Sequence, residues 1–117
     1  MHKPLLRRTV VVALAAGAAA LLAAPAAAQV DEDAARKLFK QNDCTKCHAV
    51  DKTKKGPSLK KIAAKYREKK MDEKDAIAHM TKGAKVKLED GTEEEHKIID
   101  TKDVKEQGNL ARWILSQ

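Results

Sequence analysis

The chain has 117 residues, with 24 Lys and Arg against 17 Asp and Glu, a formal net charge of +7, and a single Phe, Tyr and Trp. That length holds one small domain, and so few aromatics leave no base-stacking surface for a nucleic-acid interface. Two cysteines allow at most one disulfide, so a framework of several bridges is excluded as well.

The first segment does not belong to the domain. Lys3, Arg7 and Arg8 precede an uncharged apolar run from Val10 to Ala24, which ends in Pro25, Ala26, Ala27 and Ala28. Small residues three and one before a junction suit signal peptidase, so residues 1–28 read as a cleaved export signal. The run of about 15 residues falls short of the roughly 20 needed to cross a bilayer. Removing it takes three basic side chains and no acidic ones. The mature chain, residues 29–117, then carries 21 basic and 17 acidic residues, a charge of +4, and no membrane span.

The mature chain reads as helices joined by loops. Asp31 to Gln41 forms the first, with Asp31, Glu32 and Asp33 at its positive end and Ala35, Leu38 and Phe39 on its apolar face. Lys52 to Lys55 is a solvated basic loop. Gly56-Pro57-Ser58 breaks the chain, and Ser58 caps a second helix whose Leu59, Ile62, Ala63 and Tyr66 recur at helical spacing. Asp72 caps a third, with Met71 before it as a staple, Ile77 and Met80 inside, and Gly83 at its end. Residues 84–102 are less regular and hold the acidic group Glu89, Asp90, Glu93, Glu94 and Glu95. Asp103 to Glu106 has the spacing of a capping box and opens a last helix reaching about Ser116. Val104, Leu110, Ala111 and Ile114 form its buried face, Trp113 flanks it, and Gly108 points to a close crossing.

Between the first two helices stands Cys44-Thr45-Lys46-Cys47-His48. This is C-x-x-C-H, the attachment signature of c-type haem. Two thiols three apart reach the two vinyl groups of one macrocycle edge, and the next residue supplies an imidazole to the iron. A redox dithiol belongs beside a β-α-β pattern, and none is present. Structural zinc needs four ligands, usually as two separated pairs. A plain disulfide leaves His48 without a role.

Taken together, Cys44 to Val50, Lys55-Gly56-Pro57-Ser58-Leu59, Ala63 to Tyr66, and Leu110 to Gln117 resemble the small class I bacterial cytochromes c over nearly all of the mature chain. The resemblance implies an all-α fold of four to five helices around one covalent haem c, the first and last helices crossing near Phe39 and Trp113. It implies that the Pro57 carbonyl accepts a hydrogen bond from His48, which fixes the ring as an iron ligand. An exported haem protein of this size is expected to be a one-electron carrier of the periplasm, a monomer and not an enzyme, docking transiently with redox proteins, or else the electron-accepting subunit of a separate oxidoreductase.

The sequence departs from the family pattern at the distal ligand. The family takes a methionine from the loop before the last helix, and residues 84–102 contain none. His96 stands in that loop and is expected to replace it, giving iron bound by His48 and His96. Met71 and Met80 are the competing donors, and an open sixth position, suited to a ligand sensor or a peroxidase-like protein, is the other alternative. His79 reads as part of a solvated face. Two imidazoles favour ferric iron and lower the potential. A carboxylate among Glu93, Glu94 and Glu95 would strengthen that effect if it met the distal ring, or else these side chains form a solvated loop. Lys46, Lys52, Lys54 and Lys55 and the acidic loop are the candidate docking patches.

Overall fold

Four short helices, each started by a side-chain cap, enclose the core. The computed structural model describes residues 29–117 and, before them, Gly17 alone; the expected signal peptide lies outside the described residues. α1 spans Glu32–Gln41, α2 Leu59–Glu68, α3 Glu73–Lys82 and α4 Val104–Leu115, with a 3-10 turn at Cys44–Lys46. Among the described residues no helix is long and apolar enough to cross a membrane.

The caps explain where the helices begin. Asp31 accepts from the Ala34 N–H, and Ser58 accepts from the Lys61 N–H. Asp72 accepts from the N–H groups of Lys74 and Asp75, while Asp75 reaches back to the Asp72 N–H at 2.9 Å, closing a reciprocal box. The expected box at α4 is only half made. Asp103 accepts from the Lys105 N–H, but Glu106 takes the Thr101 hydroxyl at 2.5 Å instead of reaching back to Asp103. A nearby hydroxyl donor wins the carboxylate.

The core is one cluster built where α1, α2 and α3 each meet α4, with Leu59, Leu110 and Ala111 among its most buried members. Phe39 of α1 meets Trp113 of α4 edge to face, ring centres 5.5 Å apart, and the Arg36 guanidinium lies over the same indole at 5.2 Å. One end of that crossing is pinned by a reciprocal pair. The Asp31 N–H donates to Asn109 Oδ1, and Asn109 Nδ2 donates to the Asp31 carbonyl, both at 2.8 Å.

One expectation for α4 is corrected. Val104, expected on the buried face, is 75% exposed, whereas Trp113, expected near the crossing, is 3% exposed. Val104 stands in the first turn, beyond the helices that cover α4, whereas Trp113 faces α1. Gly108 does mark a close approach, but the crowding comes from an ion pair with α3. A Cβ there would lie 2.8 Å from Glu73 Oε1 and 3.0 Å from Arg112 Nη1, and those two groups pair at 2.7 Å.

The segment read as irregular contains a small antiparallel hairpin, β1 at Lys85–Lys87 and β2 at Glu93–Glu95. Lys85 faces Glu95 and Lys87 faces Glu93 across it. Opposite charges directly across a ladder stabilise the pairing. Asp90 accepts from both the N–H and the hydroxyl of Thr92, and Gly91 takes the positive φ of 87° that the turn requires. The acidic group is therefore mostly one strand of a charge-matched ribbon.

Candidate functional site

The C-x-x-C-H segment is wound tightly. Asp43 adopts a left-handed φ of 56°, turning the chain out of α1. The N–H groups of Cys47 and His48 then both donate to the Cys44 carbonyl, at 3.2 and 2.9 Å. One turn of backbone thus carries both thiols and the imidazole. Cys44 and Cys47 are half-buried and free of any disulfide. Burial pushes the Cys44 thiol up to about 11. A reactive redox dithiol needs the opposite shift. Among the described residues no group of three or more His, Cys, Asp or Glu gathers around a bare metal ion.

His48 is fixed from below. Its Nδ1 lies 2.6 Å from the Pro57 carbonyl oxygen. A carbonyl can only accept, so Nδ1 carries the proton and Nε2 keeps its lone pair. Gly56 makes this possible. Its N–H donates to the Cys47 carbonyl at 2.9 Å, and a Cβ in its place would stand 2.8 Å from His48 Cε1. The intervening basic loop folds back: the Lys54 ammonium donates to the Thr45 carbonyl. A cavity of about 350 Å³ opens beside His48, with Phe39, Val50 and Trp113 among its apolar walls and Arg36, Lys40 and Lys54 as its cations.

A second imidazole faces the first. The His96 N–H donates to the Ala84 carbonyl at 2.9 Å, extending the hairpin by one residue pair. His96 Nδ1 lies 3.0 Å from the Lys97 carbonyl, which again protonates Nδ1 and frees Nε2. The ring centres of His48 and His96 are 6.2 Å apart, with 40° between their planes. His79 of α3 stands against His96, ring centres 4.3 Å apart. Burial first, and then the electrostatic influence of His79 and His48, lowers the His96 pKa to about 4. Burial, then His48 and Lys65, lowers that of His79. Both rings are neutral bases at neutral pH.

The cytochrome c family model matches residues 32–117. The chain belongs to the cytochrome c family. A crystal structure of the class 1 cytochrome MtoD from Sideroxydans lithotrophicus ES-1 is 53% identical, superposes with a TM-score of 0.70, and covers 75% of this chain and 97% of its own. Wild-type cytochrome c552 from Nitrosomonas europaea is 28% identical with a TM-score of 0.55, over 69% of this chain and 96% of its own. A Nitrosomonas europaea cytochrome c-552 sequence is 50% identical over 42 residues, 36% of this chain and 37% of that relative. That alignment therefore spans little more than a third of the relative's length.

Members of this family hold one haem c covalently, and Cys44, Cys47 and His48 supply the attachment motif of this cytochrome. The geometry fits the group. Both thiols are unpaired, His48 presents a free Nε2, and the Gly56–Pro57 step holds the ring without crowding it.

The other sequence candidates fall in distinct places. Met80 is 6% exposed and packs in the core cluster, while Met71 is 37% exposed at the start of α3. Glu93, Glu94 and Glu95 are all exposed, and His96 gives its Nδ1 proton to a backbone carbonyl. The solvated reading of these glutamates therefore holds. The basic and acidic patches adjoin: Lys54 and Lys55 share a cavity wall with Glu89, Asp90 and Glu94, and the Glu89 N–H donates to the Lys55 carbonyl. His79 is exposed, as read, yet also touches His96. Two contributors were missed. In the sequence Gly56 reads as a chain breaker within a family motif, with no sign of its contact with His48, and Asn42, a buried amide two residues before Cys44, gives no signal beyond its position at the end of a helix.

Proposed function

We propose that this cytochrome is an exported one-electron carrier whose iron is held between His48 and His96. The observation that carries the reading is the pair of imidazoles 6.2 Å apart, each with Nδ1 against a backbone carbonyl. Two ring nitrogens sharing one metal ion, at about 2 Å each, need a ring-centre separation of about 6 Å. The haem supplies one-electron exchange between ferric and ferrous iron, and imidazole in place of methionine favours the ferric state and a lower potential.

The protein's own residues keep the reorganisation small. Pro57 fixes the His48 ring and the Lys97 carbonyl fixes that of His96, so both donors stay oriented through oxidation and reduction. With His48 and His96 both committed to holding the iron, no place would remain for a substrate, and the protein would act as a carrier rather than an enzyme. Redox partners dock transiently, guided by charge: Lys46, Lys52, Lys54 and Lys55 are all exposed and close in sequence to the attachment motif. Residues 1–28 form the export signal, and residues 29–117 work in the periplasm as a monomer.

The near-infrared spectrum of the oxidised protein tests the ligand pair. A spectrum without a methionine–iron charge-transfer band is expected. Replacing His96 by Met should introduce that band and raise the reduction potential. A methionine band in the wild-type protein would remove His96 from the iron and leave the choice to Met80 and Met71.

A further inference from the structure

We infer that His79 is a reserve distal ligand: the cytochrome holds two imidazoles, His96 and His79, that can each take the position opposite His48. This rests on the reading of His96 as the resident ligand and extends it to a residue that the family's attachment motif does not include.

Three observations support it. The His79 ring lies 4.3 Å from that of His96, in contact with it and on the side formed by the last turn of α3. His48 is close enough for its charge to act on His79, so all three imidazoles share one region. The His79 ring also makes no hydrogen bond among those of the described residues, whereas a ring nitrogen of His48 and one of His96 each engage a carbonyl.

The exchange needs little. When the iron–His96 bond breaks and the iron–His79 bond forms, one neutral imidazole replaces another, so no proton or electron moves. His79 projects from a helix, and a change of χ1 or χ2 between staggered rotamers is the movement the exchange requires. If the His96 ring is absent, the space beside His79 is the space His79 must enter. An intramolecular donor acts at an effective concentration in the millimolar range, which favours rebinding over capture by outside ligands.

The test uses the haem-loaded protein. His96→Ala and the double variant His96→Ala/His79→Phe are compared by electron paramagnetic resonance and by the rate of carbon monoxide binding to the reduced form. The single variant should keep a low-spin bis-imidazole signal. A reserve ligand that occupies the position nine-tenths of the time slows carbon monoxide about tenfold relative to the double variant. Free imidazole added to the double variant should restore the low-spin signal, showing that the pocket survives the substitutions. If His96→Ala binds carbon monoxide as fast as the double variant, His79 is not a ligand and the inference is overturned while His96 stands. If the double variant stays six-coordinate without added imidazole, the donor is neither histidine, and the reading of His96 falls together with this one.

Discussion

The side-chain oxygen of Asn42 accepts a hydrogen bond from the backbone N–H of Asp100 at 2.9 Å, joining residues 58 apart in the chain. The same amide donates to the Leu38 carbonyl at 3.0 Å, and Asn42 is only 3% exposed. One buried side chain therefore fastens the segment after His96 to the end of the helix that leads into Cys44. The Ile99 N–H, bonded to the Met80 carbonyl at 3.0 Å, secures the other side.

Removing that fastening should loosen the segment that carries His96. Asn42→Ala leaves the Asp100 N–H without its partner, at a cost of about 1–3 kcal/mol. The melting temperature of the holoprotein should fall by about 5–15 °C, and carbon monoxide should bind the reduced form faster than in wild type. An unchanged melting temperature would show that the amide is replaceable by water.

A second, exposed tie shows a pH signature. Lys97 pairs with Asp43 at 2.9 Å, and the Lys97 hydrogen bond, with help from Lys46, holds the Asp43 carboxyl below its ordinary 3.8. The charged carboxylate is thus favoured by folding. Its contribution is complete above the ordinary value and disappears as pH falls through the lowered one. Lys97→Met should be slightly less stable than wild type at neutral pH, and the two denaturation midpoints should converge in strong acid or in high salt. A gap that persists in acid would assign the effect to packing of the lysine stem.

Gly56 has no room for a methyl group. A Cβ would meet His48 Cε1 at 2.8 Å and the Cys47 carbonyl at 3.3 Å, and relieving such overlap costs about 1–3 kcal/mol. Gly56→Ala should therefore lower both the yield of haem-loaded protein and its stability. Wild-type yield and melting temperature for this variant would contradict the tight fit between the Gly56–Pro57 step and the ring.

Gly108 offers a change of sign. Alanine gains about 1 kcal/mol in helix propensity, but its methyl would displace the Glu73–Arg112 pair, which stands 2.7 Å apart and partly buried. A pair of that exposure is worth up to about 1 kcal/mol, so Gly108→Ala alone should be close to neutral. In a Glu73→Ala background the pair is already gone, and the same substitution should stabilise by about 1 kcal/mol. Denaturant unfolding of the four proteins measures the coupling; strict additivity would exclude it.

The sequence alone determined the features that depend on a few neighbouring residues. Cys44, Cys47 and His48 state their chemistry by spacing. Ser58 and Asp72 announce helices because a short polar side chain reaches only the next two or three N–H groups. The apolar spacing of Ala35, Leu38 and Phe39 marks a buried face for the same local reason.

The tertiary structure decided what depends on partners far apart in the chain. Lys85 and Lys87 meet Glu95 and Glu93 only when a turn brings them opposite, so the hairpin did not appear in a reading by helical period. Val104 is exposed although the spacing within α4 groups it with the buried residues, because the crossing helices choose which part of α4 is covered. Asn42 reaches Asp100, and His79 reaches His96, through packing alone. Local hydrogen-bonding chemistry is written in adjacent residues, whereas the surroundings of the His96 ring are set by which surfaces the core brings together.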